Sequence, residues 1–188
     1  MPRSAEQTKQ RILDTAYALF RRKGYTRVSM DEIAAATKVT KRSLYYHFTS
    51  KDALLEAVLE TQHRLALASF MTFGDKLKGN PEAIVDELFR QLDVWADRPR
   101  WTGSGFTRLV VELADLPGHP ARTIAQRHKA MLEEHLAELL AKAKVKSARE
   151  RAREIWLLSE GAISLILVHG NRGGYAAAAA NAAKRLLR

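Results

Sequence analysis

Residues 29–51, SMDEIAAATKVTKRSLYYHFTSK, decide the fold of the N-terminal part of this 188-residue chain. Ser29 stands where a helix N-cap is expected, and Glu32, three residues later, completes the pattern of a capping box. A first short helix is therefore predicted to end near Thr37, and Thr40 is predicted to cap a second one after a tight turn. Two short helices joined by such a turn form a helix-turn-helix pattern.

The second helix of this stretch has an apolar inner side and a polar outer side. Leu44 and Phe48 are predicted to anchor it inward. A basic, aromatic outer surface suits the major groove of DNA, which admits an α-helix. Lys41 and Arg42 are the expected guanine contacts, and the alternative is that they contact phosphates or are solvated surface charges. The outward side chains are Thr40, Lys41, Arg42, Ser43, Tyr45, Tyr46 and His47.

Charge is concentrated at the N-terminal end of the chain. Residues 1–51 carry 11 Lys and Arg against 4 Asp and Glu, hence +7, whereas the other 137 residues carry 20 against 17, hence +3. A basic unit on a nearly neutral body indicates a polyanion that binds at one end, although a solvated surface is the alternative for charge alone.

Helical spacing of apolar residues continues along the chain, and strand signals are missing. An all-α fold is predicted, with a DNA-binding domain of three helices over residues 1–51 and a helical effector-binding and dimerisation domain over residues 52–188. The boundary falls inside a fourth helix, predicted to run from Lys51 to about Phe73, so that a continuous helix is expected to join the two domains. A second capping box, Ser147 with Glu150, is predicted to open a later helix.

Between residues 11 and 54 the spacing of many side chains matches one known pattern. The matching positions are Arg11-Ile12-Leu13, Ala16, Leu19-Phe20, Gly24-Tyr25, Ser29, Ile33-Ala34, Ala36, Val39, Leu44-Tyr45-Tyr46-His47-Phe48, Ser50-Lys51 and Leu54. This stretch, about a quarter of the chain, resembles the TetR family of bacterial transcriptional regulators. The rest of the chain matches that family in its helical layout.

The resemblance implies a homodimeric repressor or activator that binds duplex DNA and responds to a small-molecule effector. By this resemblance Tyr45, Tyr46, His47 and Lys51 match positions that contact the DNA backbone or face the groove. Residues 40–43 match the variable start of the recognition helix, where base choice is commonly made. Lys51 is further expected to contact a phosphate near a helix N-terminus, and Ser29 to add another phosphate contact.

Two further surfaces are expected in the C-terminal part. The last two helices are expected to pair between subunits, with packing within one subunit as the alternative. Aromatic and polar side chains are candidates for an effector pocket, although most aromatic residues at helical spacing are core. The candidates are Ile163, Leu167, Ala176, Ala180 and Ala183 for the dimer, and Phe70, Trp95, Trp101, Phe106, His128 and Trp156 for the pocket.

Catalytic and metal-binding motifs are missing from the sequence. There is no HExxH, GxSxG, P-loop or dinucleotide fingerprint. Among the six histidines, His128 and His135 are seven residues apart, too far for a metal pair on one helix turn. We therefore expect no enzyme activity, no metal and no cofactor.

The expected location is the bacterial cytoplasm, with association with the nucleoid when the protein is bound to DNA. The chain has no cysteine, as is common in a reducing compartment. Its N-terminus has no apolar signal-peptide core, and no apolar run is long enough to span a membrane.

Three hypotheses follow. The first is a ligand-responsive dimeric repressor that binds a palindromic operator. The second is a DNA-binding module without small-molecule control, either architectural or directed by a protein partner. The third is an enzyme or metal-binding helical protein whose basic N-terminus is incidental.

Overall fold

The computed structural model of the chain describes residues 4–74, 77 and 79–187. Within these residues the regular secondary structure is entirely helical, which confirms the predicted all-α class. A short 3-10 helix at Asn171–Gly173 precedes the last helix. The α-helices are α1 Ala5–Lys23, α2 Met30–Thr37, α3 Lys41–His47, α4 Lys51–Met71, α5 Pro81–Ala96, α6 Gly105–Glu112, α7 Pro120–Lys142, α8 Ala148–His169 and α9 Tyr175–Leu186.

Helix α4 is shorter than its apolar pattern predicted. It ends at Met71 instead of Phe73, because Phe73 leaves the helix in a turn that its N–H closes on the carbonyl of Phe70. The sequence of residues 74–80, GDKLKGN, also predicts a break after α4, with Asn80 as the cap of the next helix, and this break lies partly outside the described residues. The cap at its far end is confirmed, since the side chain of Asn80 accepts the N–H of Ala83 at 3.2 Å at the start of α5.

The two predicted capping boxes are only partly correct. Ser29 accepts the N–H of Glu32 at 3.1 Å, but the Glu32 carboxylate pairs with Lys23 on α1. Ser147 does precede α8, but it has a left-handed backbone with φ 51° and its side chain makes no cap hydrogen bond. The local pattern failed there because that backbone does not aim the hydroxyl at the free N–H groups of the first turn.

The helices form two compact units, described separately. Unit 1 comprises the residues up to Leu65 and residues 105–127, so it contains α1, α2, α3, the first part of α4, α6 and the start of α7. Its core lies between these helices and includes Ile12, Ile33, Leu44, Leu55, Phe106 and Ile124.

Unit 2 comprises residues 66–104 and 128–188 where they are described. Its core joins α5, α8 and α9 with the second part of α7 and includes Val85, Phe89, Leu136, Leu140, Ile155 and Ala183. The predicted domain boundary at residue 51 differs from this division, because α6 packs with the N-terminal helices. As a boundary between functions it stays a prediction.

In the described parts of the chain, no helix combines the length and the apolar composition that crossing a bilayer requires.

Candidate DNA-binding surface

The turn between α2 and α3 is fixed by backbone geometry. Lys38 has a left-handed conformation, φ 55° and ψ 40°, and its N–H donates to carbonyls in the last turn of α2. Val39 donates to the carbonyl of Ala34 at 3.1 Å. The buried hydroxyl of Thr37 donates to the carbonyl of Ile33 at 2.7 Å. These bonds satisfy the C-terminal carbonyls of α2 within a very short connection and so bring α3 against α2.

Helix α3 is held by its two apolar anchors, as predicted. Leu44 is fully buried, and Phe48 closes the helix with its N–H on the carbonyl of Leu44 at 2.9 Å. Full burial of one leucine side chain contributes about 1.5–3 kcal/mol. The opposite side presents Tyr45 and Tyr46, which are 42% and 82% exposed. Two large exposed rings on a short helix contribute little to the core, so they are available to a partner.

Hydroxyl groups at the helix starts have structural partners. Thr40 caps α3 by accepting the N–H of Ser43 at 3.1 Å, just as Ser29 caps α2. Both residues are exposed, and Ser43 is half-buried. Each hydroxyl keeps its hydrogen for donation after accepting one bond. The predicted contacts of these residues with DNA stay predictions.

The two cations at the start of α3 have different surroundings. Lys41 Nζ lies 2.7 Å from Asp31 Oδ1 in the first turn of α2, and both side chains are largely exposed. Arg42 is exposed and has no ion pair among the described residues. His47 packs its ring against Tyr46, with 5.3 Å between ring centroids. At the start of α3, therefore, Lys41 is held in an ion pair with Asp31, whereas Arg42 is not held by an ion pair with any described residue.

Lys51 is bound inward. Its ammonium group donates to the carbonyls of Tyr25 and Val28, both at 3.1 Å, and lies 4.3 Å from the centroid of the Tyr25 ring. This arrangement ties the first residue of α4 to the loop between α1 and α2. The expected phosphate contact of Lys51 stays a prediction, and the structure gives this side chain a positioning role in the loop.

Tyr25 is the centre of a polar network within unit 1. Its hydroxyl donates to Asp52, and burial, followed by this bond, raises the tyrosine pKa. The same hydrogen bond lowers the pKa of Asp52 below its ordinary value of 3.8. Nε2 of His119 lies 3.5 Å from the Asp52 carboxylate, while Nδ1 accepts the N–H of Ala121 at 3.1 Å. An accepting Nδ1 requires the neutral tautomer with its proton on Nε2.

Glu112, the last residue of α6, fastens the same loop from the other side. Its carboxylate accepts the N–H groups of Tyr25 at 2.7 Å and Thr26 at 3.3 Å. Arg108, one turn earlier, lies 3.3 Å from the Glu112 carboxylate and donates to the carbonyl of Arg21 at 2.8 Å. We call this group of bonds the Glu112 clasp. It fixes the loop between α1 and α2. Sequence reasoning missed it because its hydrogen bonds to backbone atoms join residues that are 86 or 87 positions apart in the chain.

The predicted effector residues fall into different places. Phe106 belongs to the core of unit 1 and is 8% exposed, and its place in an effector pocket stays a prediction. The other five lie in unit 2. There, ring contacts join Trp95 to Trp101 at 5.2 Å and Phe70 to Trp156 at 6.2 Å. Phe70, Trp101 and Trp156 also pack against the core of unit 2, so the helical spacing of aromatic residues alone does not distinguish pocket residues from core residues.

The environment of Phe70 and Trp156 contains further groups that the pocket prediction did not include. The buried ring of His135 lies 5.6 Å from Phe70, and its Nδ1, 3.9 Å from the Glu138 carboxylate, has no hydrogen-bond partner among the described residues. Lys129 lies 5.8 Å from the Trp156 ring and is paired with Glu160. Aromatic rings beside a charged pair and an imidazole are the groups that bind a planar polar ligand.

The predicted dimer residues differ in burial. Ala176, Ala180 and Ala183 of α9 are 4%, 8% and 0% exposed and pack in the core of unit 2. This packing within one subunit favours the alternative given above, and contact of these residues with a second subunit stays a prediction. Their small side chains allow α9 to pack closely on its own chain. Leu167 is 53% exposed and Ile163 is half-buried, so both stay candidates.

An exposed apolar stripe on α8 was missed. Leu157, Leu165 and Val168 are 67%, 43% and 73% exposed, and Gly161 has open space beside it. Spacings of four, four and three residues put them on one face of the helix. The signal was present in the sequence, but the opposite face of α8 is also apolar, and periodicity did not show which face is covered.

Across the described ranges, no three His, Asp or Glu side chains come together as a metal site.

Comparisons with known proteins agree with this geometry. The family model of bacterial regulatory proteins, tetR family, matches residues 12–58. The biofilm operon icaADBC negative transcriptional regulator IcaR of Staphylococcus aureus is 27% identical over 153 residues, which are 80% of this chain and 78% of that protein. A TetR-family regulator from Streptomyces coelicolor aligns with a TM-score of 0.86 and 24% identity over 97% of this chain and 95% of its own. A TetR regulator from Legionella pneumophila aligns with a TM-score of 0.81 and 22% identity over the whole of both chains.

Proposed function

We propose the function of this chain from its membership of the TetR family, which makes it a DNA-binding transcriptional regulator and not an enzyme. It acts at the bacterial nucleoid as a homodimeric repressor that binds a palindromic operator and responds to a ligand. One observation carries the proposal: a short helix, anchored by the fully buried Leu44, presents Arg42, Tyr45 and Tyr46 to the exterior. Repression is favoured over activation because the similar IcaR is a negative regulator.

We infer a dimer because the recognition helix of one subunit is short. Helix α3 has seven residues and can read only a few base pairs, so a second copy is needed for specificity. Two copies related by a twofold axis would read half-sites one helical turn, about 34 Å, or a multiple apart. The stripe of Leu157, Gly161, Leu165 and Val168 on α8 supplies a self-complementary surface, since it is apolar and has a glycine where two helices can approach.

The effector site is assigned to the Phe70–Trp156 region of unit 2. It would bind a planar ligand between rings, with Lys129 and Glu160 as polar partners. His128, buried at 5% exposure on α7, stays a candidate lining residue, as does the separate Trp95–Trp101 pair. No cofactor is required for this function, because a repressor acts by binding alone.

Control by the ligand is proposed to work through a shift between dimer geometries. Phe70 lies near the end of α4, which is continuous from Lys51 to Met71. A ligand that binds one position of α4 better than another shifts the population toward it, by no more than its difference in affinity for the two. The favoured geometry would place the recognition helices at a spacing that the operator does not match.

Selection of bound duplexes from a random library by the full-length protein, at near-physiological salt, tests the central proposal. An enriched inverted repeat with half-sites about 10 base pairs apart, or a multiple, is the expected result. Enrichment of a single half-site would contradict the dimer, and purely salt-sensitive general binding would favour an architectural DNA-binding protein instead.

The dimer surface has a matched test. Leu157→Glu on α8 should yield monomers in sedimentation equilibrium, because dimerisation would bury an unpaired carboxylate in the apolar stripe. Leu116→Glu is the control, since Leu116 is 54% exposed in the connection between α6 and α7. Equal dimerisation of both variants would exclude the α8 stripe.

The effector site is tested on the operator complex. A panel of planar aromatic acids and phenols is screened for release of the protein from the selected duplex. Trp156→Ala should then abolish release while operator affinity without ligand stays within about twofold of the original. Unchanged release by the variant would exclude the Phe70–Trp156 region as the ligand site.

A further inference from the structure

Asp31 is an acidic residue at the edge of a basic surface. It lies in the first turn of α2, where a carboxylate is favoured by the helix dipole. That local role does not require a partner on the recognition helix. Its carboxylate is nevertheless 2.7 Å from the ammonium group of Lys41, the first residue of α3. The hydrogen bond to Asp31 also raises the pKa of Lys41 above its ordinary value.

The ion pair makes Lys41 different from Arg42, although the sequence predicted the same role, a guanine contact, for both. Lys41 is held toward α2 by Asp31, whereas Arg42 has no ion pair among the residues that the structure describes. The side chains of the pair are 61% and 66% exposed, so the carboxylate is itself accessible to a DNA backbone. A negative charge there repels phosphates and cancels the attraction of one lysine.

This arrangement affects two classes of DNA differently. Binding to non-cognate duplexes depends almost entirely on the neutralisation of phosphates by cations. Binding to the operator also depends on hydrogen bonds to base edges, which a pre-oriented lysine can make and which release no phosphate counterion. An acidic residue that restrains one cation therefore weakens the general binding more than the specific binding. Such discrimination by repulsion is a known route to specificity.

We propose that Asp31 is a positioning residue that sets the discrimination between operator and non-cognate DNA by holding Lys41 away from phosphates. The proposal rests on operator binding as proposed above. It predicts that the affinity of this protein for general DNA is lower than its basic surface alone would give.

The size of the effect follows from counterion release. Freeing Lys41 for one phosphate contact steepens the dependence of log K on log salt by about 0.9. At about 0.15 M salt this corresponds to roughly fivefold tighter binding. For the operator, where Lys41 is assigned to a base edge, the gain should stay within about twofold. The ratio of operator to non-cognate affinity should therefore fall about threefold or more.

The experiment compares Asp31→Asn with the original protein and with Asp115→Asn. Both substitutions remove one negative charge, but Asp115 is an exposed residue in the connection between α6 and α7. Affinities for the selected operator and for a scrambled duplex of the same composition are measured by fluorescence anisotropy over a range of salt concentrations. The expected result is the steeper slope and the lowered ratio for Asp31→Asn alone.

A cycle with Lys41→Gln identifies the partner. In that background Asp31→Asn should raise non-cognate affinity clearly less than it does in the original protein, because no lysine is left to free and only the repulsion of phosphates by the carboxylate is removed. Equal ratios for Asp31→Asn and Asp115→Asn would overturn the proposal, and so would an undiminished effect of Asp31→Asn in the Lys41→Gln background. These failures differ from failure of the proposed function, in which no operator would be selected at all.

Discussion

Replacement of Gly24 by alanine probes the corner at the end of α1. Gly24 has φ 89° and ψ 154°, a combination almost restricted to glycine. A Cβ at this position would lie 2.9 Å and 3.0 Å from the two carboxylate oxygens of Glu112. The substitution therefore strains the backbone and also pushes against the Glu112 clasp.

The expected cost has two parts. Backbone strain of this kind costs about 1–3 kcal/mol. Displacement of the Glu112 carboxylate weakens its bonds to the N–H groups of Tyr25 and Thr26, and a hydrogen bond to a charged group contributes about 1.5–3 kcal/mol. Because the carboxylate is partly exposed and can shift, we expect a total of about 2–4 kcal/mol. For a chain of this length that corresponds to a decrease in Tm of about 5–15 °C.

The assay is urea and thermal unfolding of Gly24→Ala beside Gly118→Ala. Gly118 is exposed and has no atom within 4 Å of an added Cβ, so its replacement should leave stability unchanged or raise it by up to about 1 kcal/mol. A cycle with Glu112→Ala separates the two parts, since Gly24→Ala should cost about 1 kcal/mol less in that background. A Gly24→Ala variant as stable as Gly118→Ala would refute the reasoning.

Three more outcomes are expected. Thr40→Ala should lower the free energy of unfolding by about 1 kcal/mol, because the N–H of Ser43 loses its cap; urea titration checks this, and a neutral result would show that water replaces the hydroxyl. The bond from Tyr25 lowers the Asp52 pKa, so Asp52 stabilises the fold above pH 3.8, its ordinary value, and that contribution is lost as pH falls through the lower, folded-state pKa. Asp52→Asn should flatten this acid-side loss, and an identical pH profile would contradict it. Tyr46→Ala should change stability by less than about 0.5 kcal/mol but weaken operator binding about tenfold in anisotropy titrations, and unaltered affinity would remove Tyr46 from the DNA-binding surface.

Much of the DNA-binding unit was predictable from neighbouring residues alone. Ser29 and Thr40 were placed correctly as helix caps, and Leu44 and Phe48 as inward anchors. These features depend on residues within a turn of one another, so they can be read along the chain. The second capping box failed at Ser147 for a local reason, since a left-handed backbone cannot be recognised from the pattern of side chains.

Predictions that required a choice between two packing partners were less successful. The alanine face of α9 was compatible with a second subunit or with the same chain, and the structure buries it in the same chain. Lys51 was predicted to contact a phosphate, which stays a prediction, and its bonds to the carbonyls of Tyr25 and Val28 were not foreseen. The residue types of a small apolar face or of a cation do not specify what it will contact, and only the three-dimensional structure shows the partner.

The sequence by itself determined the helical class, the helix-turn-helix and the character of its outer surface, because helix period, caps and charge are local properties of the chain. The tertiary structure alone decided that α6 belongs with the N-terminal helices, that Glu112 binds the N–H groups of Tyr25 and Thr26, and that Asp31 holds Lys41. Such contacts join residues that are far apart in the chain or on different helices, and their formation depends on how the helices pack around a common core.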